Sequence, residues 1–238
     1  MPITSVAETV LTFLVEGFFK AIELLISGDI STWSAVSATL NASTGSMLVS
    51  LLTGLPCGFV LGYFDFRFKR PIRTILDTLL ALPTVCVGLI VYAFISSKGP
   101  LGDMGLLFSL TGIAIGQTIL AFPVVTAITA AIIENIDPAL KLTLVSLGAG
   151  KKDIILTCLW EVRFGILAAA VTAYGRVLTE VGISMIVGGN IKYHTRTMTT
   201  AIALETNKGL FADGIALGIV LMAIAFTVNL SLSFLRKK

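Results

Sequence analysis

Two charged residues stand out because of where they sit. Arg176 and Glu180 lie four residues apart inside an otherwise apolar stretch from about Ile154 to Gly188. That spacing puts both on one face of a helix. The expectation is a pair that faces each other and offsets part of the cost of two charges in hydrocarbon. Such a pair either fixes helix packing or serves the gate or path of an anion. A second polar set follows: Asn190, Thr195, Arg196 and Thr197, with Thr199 and Thr200, behind the helix-breaking Gly188 and Gly189. One cation and several hydroxyls suit either first contact with an oxyanion on the outer side or the satisfaction of backbone groups in a re-entrant turn. His194 has no partner cluster and reads as a surface residue, and Cys57, Cys86 and Cys158 match no zinc or disulfide spacing. No metal site is expected. The Ser-Lys, paired-Asp or His-rich constellation that an intramembrane enzyme needs is missing from the apolar stretches. There is no G-x-x-x-x-G-K-[ST] run either. The chain reads as a non-enzyme with no cofactor of its own.

The composition says what holds these residues. Of 238 residues, 55% are apolar and only 13% are charged, with 17 Lys and Arg against 14 Asp and Glu. A net charge of +3 is too small for a nucleic-acid binder. The mean hydropathy of +0.95 excludes disorder and an ordinary water-soluble globule. Charge-free runs occupy Ile30 to Phe64, Thr78 to Ser97, Met104 to Ile133 and Gly214 to Leu235. Each can cross about 30 Å of hydrocarbon as a helix. With the interrupted stretch at Ile154 to Gly188 they make five core spans in an all-α polytopic membrane bundle. Residues 1–29 form a separate N-terminal element, in which Glu8, Glu16, Lys20 and Glu23 break an apolar run. It either spans or lies along the interface. Residues 30–238 form the bundle.

Lys and Arg set the orientation. Arg67, Lys69, Arg70 and Arg73, then Lys141, Lys151, Lys152 and Arg163, then Arg236, Lys237 and Lys238 all fall on one side of a five-span bundle. That side is cytoplasmic, with the C-terminus on it. The opposite side receives Lys98 in a short loop, and residues 188–212 in a longer one facing outward.

Small residues recur every fourth position at Gly54, Gly58 and Gly62, at Gly112 and Gly116, and at Gly214 and Gly218. In lipid such rows let helix backbones approach closely. Pro56, Pro83 and Pro123 fall inside spans, either as tolerated kinks or as bends lining a pathway. Between the third and fourth spans, about residues 134–153, lies a stretch too polar to span and too long for a plain turn. Asp137-Pro138 opens a short helix, Leu140, Leu144 and Leu147 follow at helical spacing, and Gly148 and Gly150 break it before Lys151-Lys152. This element suits either a soluble partner or a bed of lipid headgroups.

The same stretch resembles the cytoplasmic signature loop of ATP-binding-cassette (ABC) importer permeases: Glu-Ala-Ala, three residues, Gly, nine residues, Ile, one residue, Leu-Pro. Gly148 takes the glycine, which sets Leu142, Thr143 and Leu144 at Glu-Ala-Ala, Cys158 at Ile, and Trp160 and Glu161 at Leu-Pro. Only Gly148 is an identity, and the missing acid at Leu142 means the loop is braced in another way. AYGRVLTEVGISMIVGGN, Ala173 to Asn190, is similar to the Arg-x-x-Gly-Glu-x-Gly segment and x-Gly-Asn ending of molybdate-type permeases, with Thr179 in place of a Gly. LLALPTVCVGL, GQTILAFPVV and TRTMTTAIALET extend the likeness over about residues 30–235. Within the molybdate, tungstate and sulfate class the nearest likeness is to tungstate permease subunits. The resemblance implies a type I importer permease fold, with ATP and Mg bound by a separate ATPase subunit. It implies a coupling loop at Leu142, Thr143, Leu144, Leu147, Gly148, Ala149, Gly150 and Lys151 that the ATPase grips, and an external substrate-binding protein. Gate or path candidates are Pro83, Pro123, Arg176, Glu180, Asn190, Thr195, Arg196 and Thr197. The small size of one chain leads to the expectation of a homodimer in the cell membrane of a prokaryote, among lipids, with the path on its two-fold axis. Molybdate or sulfate is the alternative cargo. A stand-alone ion-coupled transporter is the alternative class, with Glu180 and Glu161 as its only candidate carboxylates.

Overall fold

The computed structural model describes residues 3–236. Met1, Pro2, Lys237 and Lys238 lie outside the described residues, so part of the basic C-terminal group does too. Within them the chain is helical and holds no strand. In chain order the helices are α1 (Ile3–Ile26), α2 (Ile30–Tyr63), α3 (Lys69–Leu80), α4 (Thr84–Ile95), α5 (Leu110–Glu134), α6 (Pro138–Ser146), α7 (Lys151–Glu161), α8 (Arg163–Leu178), α9 (Gly182–Ile186), α10 (Met198–Asn207) and α11 (Phe211–Arg236).

The apolar stretches become spans, but not all as single helices. α2, α5 and α11 are each long and apolar enough to cross a membrane. The second and fourth stretches are broken: α3 and α4 meet at 100°, and α7 and α8 meet at 58°. Counting each bent pair once gives five. Pro83 is therefore not inside a helix. It sits in extended backbone as the N-cap of α4, and the break falls before it at Ala81 and Leu82. The residue before a proline is driven out of the helical region, which is why α3 cannot run on into α4. Pro56 and Pro123 do lie within α2 and α5.

The centre of the bundle is the pair α2 and α5, side by side and running in the same direction. Thr118 reaches the Ser46 carbonyl, Gly54 meets Val125, Gly58 meets Thr129 and Gly62 meets Ile133. A Cβ on Gly58 would stand 2.7 Å from the Thr126 carbonyl oxygen, and one on Gly62 2.6 Å from that of Ala130. The glycine row is thus a line of backbone contact. The pair Gly214 and Gly218 behaves differently: Gly214 meets the Thr206 hydroxyl, while Gly218 has nothing within 4 Å. α1 rests on α11. Gly17 meets Ile215, Lys20 pairs with Asp213, and Ala21 is buried with Ala216, Leu217 and Val220.

Candidate functional site

One end of the bundle carries a knuckle made of α6, a glycine turn and α7. Asp137 caps α6, its carboxylate accepting the Ala139 amide at 2.8 Å, and Pro138 takes the first helical position. Thr143 donates to the Ala139 carbonyl at 2.8 Å. The helix ends on a left-handed residue, Gly148, at φ +76°. The Gly148 amide donates to the Val145 carbonyl and the Ala149 amide to that of Leu144, both at 3.0 Å. This paired termination satisfies two carbonyls that the helix end would otherwise leave open. Gly150 then caps α7, and the Asp153 carboxylate accepts its amide at 3.2 Å. Asp137 and Asp153 brace the loop that lacks an acid at position 142. Asp153 was readable as the acid three residues after a cap.

The side chains of the knuckle divide cleanly. Leu144 and Ala149 pack inward against a cluster of Phe59, Ile133, Ile154 and Cys158. Leu142, Val145 and Leu147 point away, Leu142 67% and Leu147 78% exposed. Lys151 is exposed beside them. A groove of about 940 Å³ runs beside the knuckle along α5 and α6, lined among others by Arg73, Asp77, Asp137, Thr143 and Glu161.

Deeper in the bundle the expected Arg176–Glu180 pair does not form. α8 stops at Leu178, so Glu180 has left the helix and the shared face is lost. Glu180 is 6% exposed. Its Oε1 accepts the Ile183 amide at 3.1 Å, and its carbonyl accepts the hydroxyls of Ser184 and Thr199. Arg176 turns instead to the Leu80 carbonyl at the end of α3, at 3.3 Å. This brings Arg176 to the break that precedes Pro83. Pro123 is buried in α5, beside Val124, which packs on Ala173 of α8.

Residues 188–212 do not form an open outer loop. They contain α10, which packs on α2 and α11. Thr195 is fully buried; its hydroxyl donates to the Gly188 carbonyl and accepts the Ile191 amide. Thr197 caps α10, exchanging hydrogen bonds with Thr200. Asn190 sits at φ +51° and accepts the Arg196 Nε at 3.1 Å. The Met198 amide donates to the Thr39 hydroxyl of α2 at 2.8 Å. These hydroxyls hold the chain's own backbone, and Thr195 and Thr197 are not presented to an incoming ion. Sequence reasoning missed α10, although Thr197 followed by Thr200 is a cap signal. Among the described residues no cluster could hold a metal ion.

Residues 54–238 match the family described as binding-protein-dependent transport system inner membrane component. The chain belongs to this family. It is 49% identical to the tungstate uptake system permease protein of Campylobacter jejuni, over 92% of each chain. It is 36% identical to the protein of that description from Peptoclostridium acidaminophilum, over 91% of this chain and 95% of that one. It is 38% identical to a probable anion ABC transporter permease protein of Haloferax volcanii, over 85% of this chain and 90% of that one. Solved structures share its fold. One is a bacterial ABC transporter involved in the import of the acidic polysaccharide alginate, with a TM-score of 0.74 at 19% identity, covering 92% of this chain and 83% of that one. Another is an inward-facing methionine ABC transporter, with a TM-score of 0.71 at 16% identity, covering 85% of this chain and 93% of that one. The family member described here is thus a multi-pass inner-membrane component of an ABC import system, with a type I permease fold, and a transport subunit by kind.

Proposed function

We propose that this permease moves tungstate inward by alternating access, as a homodimer with its path on the two-fold axis, powered by a separate ATPase subunit seated on the α6–α7 knuckle. The observation that carries the coupling is the outward row Leu142, Val145 and Leu147 on a hairpin of the inner end. Its apolar side chains are exposed while the end of α6 is closed by the Gly148 and Ala149 amides. An exposed apolar patch on a preformed element suits a protein partner. Fuel must come from elsewhere, because the sequence has no phosphate-cradling loop. ATP drives the cycle by binding one global state of the assembly better than the other. An external binding protein hands the ion to the outer end, and the C-terminus lies in the cytoplasm. Tungstate is favoured by the similarity to the two tungstate uptake permeases.

The test is reconstitution with the ATPase and binding proteins of the same system. ATP hydrolysis is measured with binding protein loaded with tungstate, molybdate or sulfate. Tungstate gives the strongest stimulation. Equal or stronger stimulation by sulfate overturns the cargo, and import in an ion gradient without any ATPase overturns the mechanism.

A further inference from the structure

Arg176 sits on a face that the packing of the chain leaves unused. α8 buries Ala173 and Val177 and exposes Thr172, Gly175 and Arg176, and its C-cap Thr179 continues the same side at spacings of three and four. This side lies at mid-depth. Ala173 packs with Met47, near the middle of α2, and with Val124, near the middle of α5. The Val177 carbonyl meets Gln117 of α5, and Tyr174 meets Thr44 well inside α2. A Cβ on Gly175 would have nothing within 4 Å, so the space beside Arg176 is open. Among the described residues no carboxylate pairs with Arg176, which donates instead to the Leu80 carbonyl.

A guanidinium at this depth is costly against acyl chains, and intramembrane arginines face a bundle interior or a water-filled cavity. α11, by contrast, exposes the apolar residues Met222, Phe226 and Leu230. One face is made for lipid and the other is not.

We propose that the Thr172–Arg176–Thr179 face of α8 lines the aqueous anion path, and that Arg176 is the charge that draws a divalent tetrahedral oxyanion past the α3–α4 break. The identity of the ion rests on the import reading above; the wetness of the face does not. The bond to Leu80 uses one of the five guanidinium donors and leaves the charge uncancelled. The hydroxyls of Thr172 and Thr179 rest on carbonyls of their own helix and can turn toward a passing ion. A single cation with rotatable hydroxyls attracts an oxyanion without the multiple fixed donors that would trap it.

The test uses the assembled transporter in vesicles, with Cys57, Cys86 and Cys158 replaced by Ser. Thr179→Cys and, separately, Thr172→Cys are exposed on both sides to two methanethiosulfonates, an anionic sulfonate and a cationic trimethylammonium. Both positions react, while Phe226→Cys in α11 does not. Normalised to a free thiol in water, the anionic reagent is favoured at Thr179→Cys. Arg176→Gln lowers the anionic-to-cationic ratio about tenfold, the effect of one charge roughly 6 Å away in water acting oppositely on the two reagents. Arg176→Lys retains the preference. Unreactive cysteines at both positions show a dry face and overturn the proposal. Reactive cysteines with a ratio unmoved by Arg176→Gln overturn the role of the charge. Stimulation of the cysteine-free parent by tungstate-loaded binding protein is read in the same vesicles. Its failure counts against the import reading, while the labelling pattern still decides the face.

Discussion

Leu147→Asp separates a docking surface from a structural one. Leu147 is 78% exposed at the end of α6, and its carboxylate replacement would meet water on the chain alone. Stability of the isolated permease should therefore move by no more than about 0.5 kcal/mol, as for other surface substitutions. The assembly behaves otherwise. Covering a leucine side chain is worth roughly 1.5–3 kcal/mol. Scaled by the 78% still open to a partner, the loss is roughly 1.2–2.3 kcal/mol at each knuckle. That corresponds to about 8- to 50-fold weaker association of the ATPase subunit. The assay is an equilibrium titration of purified ATPase subunit against permease in detergent, beside thermal melts of the permease alone. Leu101→Asp, in the loop between α4 and α5, serves as the control. Wild-type affinity for Leu147→Asp, or a loss equalled by Leu101→Asp, would refute the docking assignment.

Three further outcomes follow from the packing and the caps. Gly58→Val should lower the melting temperature through an overpacking cost of about 1–3 kcal/mol, because its Cβ lands 2.7 Å from the Thr126 carbonyl, while Gly218→Ala leaves it unchanged. Thr195→Val keeps the shape but strands the Gly188 carbonyl and the Ile191 amide, and should cost about 1–3 kcal/mol in chemical or thermal unfolding. Asp29 caps α2, and hydrogen bonds from the Thr32 hydroxyl and amide hold its carboxyl below the usual carboxylate range. With the folded pKa depressed, that stabilisation is complete above the unfolded-state pKa and fades as pH falls through the lower folded value. Asp29→Ala should thus destabilise by about 1 kcal/mol at neutral pH, and melts in strong acid should no longer distinguish it from the parent.

What could be read from the sequence depended on the range of the interactions involved. Charge-free runs report burial in lipid directly, so α2, α5 and α11 emerge from composition alone. Caps are local, so Asp137-Pro138 and Gly148 placed the knuckle to within a residue. The breaks at Ala81 and Val162 were hidden because an apolar run looks the same whether straight or bent. The Arg176–Glu180 pairing failed for a related reason. Helical spacing was extended two residues beyond Leu178, where α8 ends, and a long-range carbonyl at Leu80 claimed the guanidinium. Thr195 and Thr197 were ambiguous because a hydroxyl that serves an ion and one that serves a backbone amide look identical without their partners. The Gly54–Gly58–Gly62 row signalled close approach, but only the fold shows that its partner is α5 running alongside in parallel.

The 58° break at Val162 has a mechanical meaning. α7 begins at the knuckle and ends at this joint, and α8, which bears Arg176, begins on the other side of it. α7 is 11 residues long, an arm of roughly 16 Å. A swing of about 10° at the joint carries the tip through roughly 3 Å, a displacement of atomic-contact size at a modest angle. Because the break already interrupts the ladder of helical hydrogen bonds, the angle can change there without tearing either helix. If an ATPase subunit pushes on the tip, as proposed above, the push would reach the polar face of α8 as rotation, through a crank rather than a wire.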